Sequence, residues 1–322
     1  TVYLFPVLTM REEQRALRKF GKRLFLLAIV VLITDQVCGW FLRRMYTRQL
    51  SGDWYRASWT MDSTRAPFLV LGSSRASHHY IPAILDSSLA TIAYNGGRDG
   101  NDILGSLAFF RAAIRRYQPE AVILELLPRE MVENPASYER LSGLLPFFHN
   151  HPEIRDIVLL RGYFERWKLL SASYPFNSQL VRLVNGRWNL NKDPGNRYQG
   201  YLPLKGSIVS GTAVNTLLEP AAGLDIQKLN ALREIAATCT REHIRLYVVN
   251  SPVFSNSPGG RAADSIRTIC GRYGISYLDF SADDRFDGHP ELFRDNSHLN
   301  DGGASLFTRI LSDSILTGRR AK

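Results

Sequence analysis

The sequence predicts an α/β domain, a parallel sheet with helices on both faces, joined to an N-terminal transmembrane helix and interrupted by a helical insertion. Three observations lead to this class. Short β-rich runs alternate with stretches of helical period, an apolar run near the N-terminus is bracketed by arginines, and a long aromatic-rich stretch breaks the alternation. The 322 residues, 45% hydrophobic and 22% charged, suit a globular chain with one sizeable core.

Residues 1–23 read as a basic cytoplasmic segment, with Arg11, Arg15, Arg18, Lys19, Lys22 and Arg23 ahead of the run "LFLLAIVVLITDQVCGWFL" at 24–42. About nineteen helical residues at ~1.5 Å each reach about 28 Å, close to the ~30 Å hydrocarbon thickness of a bilayer. Fewer cations, Arg43, Arg44 and Arg48, follow the run, which places the N-terminus in the cytoplasm and the rest of the chain outside. No small-x-small cleavage site follows, so the segment reads as an uncleaved, single-pass signal anchor. Asp35 is out of place there, because a carboxylate at depth costs ~2.5 to 3.5 kcal/mol. Protonation, a place near the outer interface or a partner helix would each accommodate it.

Residues 43–66 read as a linker, and 67–318 as the α/β domain. Its strand candidates are "PFLVLG" (67–72), "TIAYN" (91–95), "AVILEL" (121–126), "RLYVVN" (245–250) and "ISYLDF" (275–280). Helical patterns fall near 80–87, 102–117, 225–242, 260–272 and 301–317. The insertion at 128–222, rich in Tyr, Phe, Trp, Asn and Pro, reads either as a lid or partner surface or as a packed subdomain. Residues 319–322 are a tail.

The net charge of +10 is concentrated at the front: residues 1–48 hold nine Lys/Arg against three Asp/Glu, or +6, and the remainder holds +4. With no zinc-finger spacing or basic-aromatic strand motif, this excludes nucleic acid as the expected partner. Cys239 and Cys270 read as packed core residues, and no Cys/His cluster has metal-site spacing.

In sheets of this kind the ligand sits at the carboxyl ends of the strands. There, Ser73 and Ser74 leave the first strand in "FLVLGSSRASHHYIP". Near the other end of the chain, "FRDNSHLNDGGA" sets Asp295 and His298 three apart in a polar loop before the last helix. A carboxylate holding one imidazole nitrogen while the other faces a serine is how a hydroxyl is activated at neutral pH. His78 and His79 read as helix-start residues, Asn250 and Ser251 as groups at the ligand edge, and Asp99, Asn101 and Asp102 as caps of the second helix.

Through Gly72-Ser73-Ser74, "NGGRDG" (95–100) and the late Asp-x-x-His, the chain resembles the SGNH, or GDSL-like, hydrolase superfamily over about residues 67–126 and 244–317. Ser73, where the commonest members have aspartate, resembles membrane-tethered bacterial branches that act in cell-envelope polymer acylation. The resemblance implies a three-layer flavodoxin-like fold, Ser74 as nucleophile, His298 as general base and then acid, Asp295 as the group orienting it, and the amides of Ser74 and Gly100 as the oxyanion hole. No metal or cofactor is required. It implies acyl-ester cleavage or transfer on an acylated envelope glycan or polymer at the inner membrane, with a membrane-bound O-acyltransferase as a possible partner. The third-strand asparagine of the family is absent, since the strand runs into "ELLPRE". Losing one such donor costs ~2.7 to 4 kcal/mol of transition-state stabilisation. Arg75, Arg98 and Arg129 are candidates to compensate, and Arg75, Arg98 and Asn250 are candidate substrate contacts. The alternative is a catalytically weak scaffold that assists a membrane acyltransferase.

Overall fold

The computed structural model describes residues 10–177, 179–190, 197–208, 223–254 and 260–320. The start of the expected cytoplasmic segment, part of the expected insertion (209–222) and the end of the expected tail lie outside them.

The first helix, α1 (Met10–Tyr46), is long and apolar enough to cross a membrane. Most of the apolar side chains along its 24–41 stretch, Leu26, Ile33 and Trp40 among them, are exposed. Where a linker was expected, α2 (Gly52–Ser58) and a π-helical turn (Trp59–Ser63) fold into the body of the domain. Trp54, Ala57 and Met61 are buried with Met45 and Tyr46 in the main core. The Tyr46 ring meets Trp54 and Phe147 edge-on, with centroids 5.6 and 5.3 Å apart. A few large aromatic side chains decide the fate of this polar-looking segment, since each buries a large area and aromatic pairs add ~0.5–1.5 kcal/mol.

The sheet domain continues with β1 (Phe68–Leu71), α3 (Ser74–His79), α4 (Pro82–Leu89), β2 (Ala93–Asn95), α5 (Ile103–Ile114) and β3 (Ala121–Glu125). The insertion then contributes short helices, α6 (Pro135–Arg140), α7 (Arg155–Leu159), α8 (Glu165–Lys168) and α9 (Leu180–Trp188). The alternation resumes with α10 (Ile226–Arg241), β4 (Arg245–Asn250), α11 (Gly260–Arg272), β5 (Ser276–Asp279) and α12 (Asp301–Arg320). The expected helix near 80–87 is α4, and a separate short helix, α3, precedes it; the two are parted at Pro82, because the residue before a proline is driven out of the helical region, as the extended Ile81 shows.

The five strands run parallel in the order β2-β1-β3-β4-β5, which is the flavodoxin-like order with its switch point between β1 and β3. Both faces of the central strands are covered, so β1 and most of β3 and β4 are apolar, and the pleat sorts alternate residues to opposite sides. Phe68, Val70, Ile123 and Val249 join Leu85 of α4 and Phe307 and Leu311 of α12. Leu69, Leu71, Val122, Leu124 and Val248 join Phe110 of α5, Leu232 of α10 and Ile266 of α11. Cys239 and Cys270 are buried free thiols in this second layer, and burial pushes them up to about 12 and about 11.

If residues 43–66 belong to the core, Trp54→Ala lowers stability by ~3–5 kcal/mol, as large-to-small aromatic truncations do. Arg48→Ala, at an exposed position, stays within about 0.5 kcal/mol. Urea unfolding followed by circular dichroism reads both, and equal, near-zero costs would return the segment to a linker.

Candidate active site

Ser74 stands at the first turn of α3, immediately after β1, because the chain reverses at Gly72. That position needs glycine twice over: its φ is +151°, and a Cβ would lie 2.8 Å from the Glu125 Cβ and 2.9 Å from that of Ala76. The turn aims the Ser74 hydroxyl at His298, with Oγ 2.7 Å from Nε2. The other ring nitrogen, Nδ1, lies 2.9 and 3.0 Å from the two Asp295 oxygens. With its proton on Nδ1, the imidazole donates to Asp295 and accepts from Ser74. The Asp295 carboxylate also accepts from the amides of Ser297, at 2.8 Å, and His298, at 3.0 Å. Burial alone would raise its pKa, but the Ser297 amide and the His298 ring prevail and hold it below the usual carboxylate value.

Beneath this relay lies a buried polar network. Glu125, the last residue of β3, faces the Arg75 Nε at 3.1 Å and accepts from the Ser251 hydroxyl at 3.0 Å and from the Tyr80 hydroxyl. Burial raises the Glu125 pKa, against the pull of Arg75 and Tyr80. Arg75 also donates to the Ser251 hydroxyl at 2.8 Å and to the Asn250 side-chain oxygen at 3.2 Å. His79 donates from Nδ1 to the Ser251 hydroxyl at 2.7 Å and accepts at Nε2 from the Leu299 amide at 2.9 Å, next to His298. Burial, then the charge of Arg75, drives the His79 pKa well below its usual value, so the ring is neutral as those bonds require.

This geometry revises the expected substrate contacts. Arg75 and Asn250 are buried and spent on internal bonds, Asn250 also donating to Asp279 at 2.9 Å. Arg98 stacks on Trp54 at 4.8 Å and donates to the Gly143 carbonyl at 3.1 Å, and it lines a second, adjoining cavity rather than the one over the serine. Of the arginines considered as compensators, Arg129 is the one that lines the cavity without such a commitment. His78 is held by the Leu202 carbonyl, 2.7 Å from Nδ1, and by Asp99, 3.3 Å from Nε2. Asp102 caps α5, accepting from the amides of Leu104 and Gly105 at 2.9 and 3.4 Å.

A cavity of about 460 Å³ opens over the serine, with Ser74, Gly100, Arg129, Arg140, Lys228 and His298 on its walls. Gly100 enters at φ +74°, and among the described residues nothing accepts from its amide. Three further wall residues were missed as functional groups: Asn101, Asp102 and Glu130 each bring a shielded polar atom (Nδ2, Oδ2 and Oε2) with no partner among the described residues. Glu130 sits on the turn after β3 (Pro128–Met131), where the expected asparagine is lacking. Burial, then the charges of Asp102 and Glu125, raises it to about 8, so it is a neutral carboxylic acid at pH 7. Its only trace in the sequence is a carboxylate five places after Glu125, beside Arg129 in "ELLPRE".

No family model matches the sequence, and no curated protein is similar to it. Solved structures do overlay. An acetyl xylan esterase, AlAXEase, matches at 11% identity over 78% of this chain and 98% of its own, with a TM-score of 0.37. LAE5, an α/β hydrolase enzyme from the metagenome of Lake Arreo, Spain, matches at 11% identity over 78% and 94%, with a TM-score of 0.40. A protein from Desulfitobacterium hafniense DCB-2, described as a lipolytic protein of the G-D-S-L family, matches at 9% identity over 77% and 98%, with a TM-score of 0.36. Likeness at this level assigns no residue role.

Two consequences follow for stability. Arg75→Met strands the Glu125 carboxylate in the interior and costs ~3–5 kcal/mol by denaturant titration; a cost near zero would mean the pair is not buried as described. Glu130, raised from 4.5 to about 8, gives stability that is full below pH ~4.5 and is lost as pH rises through about 8. Wild-type melting temperature therefore declines between pH 5 and 8.5, and Glu130→Gln flattens that decline by several degrees. Parallel curves for the two proteins would contradict the raised acid.

Proposed function

We propose that this chain is a serine-dependent acyl-ester hydrolase or acyltransferase of the SGNH type, tethered by α1 and working on an acylated cell-envelope glycan or polymer. The observation that carries the reading is the continuous relay from Ser74 Oγ through His298 to Asp295, with contacts of 2.7 and 2.9 Å.

In the proposed reaction the Ser74 oxygen attacks the acyl carbonyl as His298 Nε2 takes its proton. Asp295 keeps the ring in the tautomer that can accept, and steadies the imidazolium that forms. The amides of Ser74 and Gly100 receive the oxyanion. Collapse breaks the ester bond, and His298 returns the proton to the leaving alkoxide. Water or a glycan hydroxyl then gives its proton to His298, attacks the acyl-serine and releases free acid or a new ester, leaving Ser74 protonated again. The polar walls of the cavity suit a hydroxyl-rich substrate better than a lipid chain.

The scaffold reading has one observation in its favour, that the turn Pro128–Met131 itself holds no asparagine, although Asn134 just beyond it lines the cavity. Asp35, the other feature offered for it, is already satisfied inside the chain by Ser171 and Ser173, which leaves it less to offer a partner helix.

The full chain in detergent should take up a fluorophosphonate ester on Ser74, seen as a covalent mass adduct. Ser74→Ala abolishes the adduct, and His298→Ala slows its formation by roughly 10³-fold or more. A folded wild-type chain that forms no adduct would leave the scaffold reading in its place.

A further inference from the structure

We infer that the face of the insertion carried by residues 163–190 is seated in lipid, forming a collar around α1 in the leaflet from which the domain emerges. The inference rests on the tethered reading above, and not on the serine chemistry. Its first support is composition. Tyr163, Phe164, Trp167 and Leu170 around α8, and Val181 and Trp188 on α9, are all exposed, Tyr163 at 88% and Val181 at 73%. Scattered apolar residues on a surface are ordinary. A concentration of exposed tryptophan, tyrosine and phenylalanine beside an apolar helix is the pattern of a membrane interface, and the exposed Arg166 among them suits lipid phosphate.

The second support is the attachment. The Asp35 carboxylate of α1 accepts from the Ser171 and Ser173 hydroxyls at 2.6 and 2.5 Å and from the Ala172 and Ser173 amides at 2.7 and 3.2 Å. One turn along the helix, Gly39 lets the loop close in: a Cβ there would lie 2.5 Å from the Ala172 carbonyl carbon. The loop that follows α8 is thus locked to the membrane helix at a fixed height. The outer end of α1 is tied as well, through Leu50, whose amide donates to the Gly186 carbonyl of α9 at 2.9 Å.

The height decides the occupant. Asp35 lies about seven residues inside the apolar run 24–42, or ~10 Å along the axis. If the loop stood in water, only about eleven residues, ~17 Å, would remain to cross ~30 Å of hydrocarbon. If the loop enters the leaflet, its apolar flanks sink by about the ~5–10 Å at which interfacial helices lie. The same placement gives the carboxylate protein donors at that depth. A second cavity of about 300 Å³ shares Gly100, Asn101 and Arg140 with the first and reaches Gln179 and Arg182 at the start of α9.

The test uses the full chain with Cys38→Ala and single cysteines replacing Tyr163, Trp167 or Val181, each carrying an environment-sensitive fluorophore, in phosphatidylethanolamine–phosphatidylglycerol vesicles. Labels at Ile33 in α1 and Arg272 in α11 serve as the lipid and water references. The expected result is quenching of all three collar labels by acyl-chain nitroxides, several-fold stronger than at Arg272, with blue-shifted emission. Collar labels that iodide reaches as readily as the Arg272 label, with Ile33 in lipid, overturn the collar and leave the anchor standing. An Ile33 label in water overturns both. Labels shielded from iodide and from nitroxide alike also overturn it, since they would mean that a second copy of the chain covers this face. Fluorophosphonate labelling of Ser74 on the same samples reports separately on the serine chemistry.

Discussion

The site depends on the buried contact between Arg75 and Glu125. These residues follow β1 and end β3, the neighbouring strands between which the sheet order reverses, and Ser251, just past the end of β4, joins both of them. Through Ser251 the network reaches His79, and through His79 the amide of Leu299. Segments more than two hundred residues apart in sequence are thereby fixed against one another within a hydrogen-bond length. A buried ion pair gives little net stability, because desolvating two charges offsets their attraction. Its contribution here is positional: with Glu125 and Ser251 satisfied by Arg75 and His79, the loop bearing His298 has one well-bonded place to sit.

That arrangement explains why part of the site was legible in the sequence and part was not. The strands declared themselves because a parallel sheet covered on both faces needs unbroken apolar runs, and "FLVL" and "AVILE" are such runs. Ser74 and His298 could be placed because each sits at a local punctuation mark, a glycine turn and a polar loop before a helix. Nothing local announced the network. Arg75 and Asn250 look like ligand-facing groups until the partner from β3 is known, and Glu125 reads as the polar end of a strand. The segment 43–66 was misjudged for a related reason: its polar residues outnumber the apolar ones, yet burial of Trp54 and Met61 decides the outcome.

The acidic residues illustrate how environment divides chemically similar groups. Asp295, bonded by two amides and facing an imidazole, is kept ionised. Glu130, in the same cavity region, is raised by burial and by the nearby Asp102 and Glu125 carboxylates against the pull of the Ser73 hydroxyl, which favours its protonated form. One can therefore hold a positive ring while the other offers a hydroxyl-like donor at neutral pH. The distinction follows from the local count of donors and charges and from burial, none of which sequence spacing encodes.

The unpaired atoms around the cavity bear on what it takes. Asn101 Nδ2, Asp102 Oδ2 and Glu130 Oε2 are shielded without protein partners among the described residues. Each such group costs ~1–3 kcal/mol when left unmet. A ligand that supplied alternating donors and acceptors would relieve that cost, while an aliphatic chain would retain it. A wall that discriminates by hydrogen bonding can reject analogues lacking a hydroxyl far more strongly than one methylene can be distinguished from another.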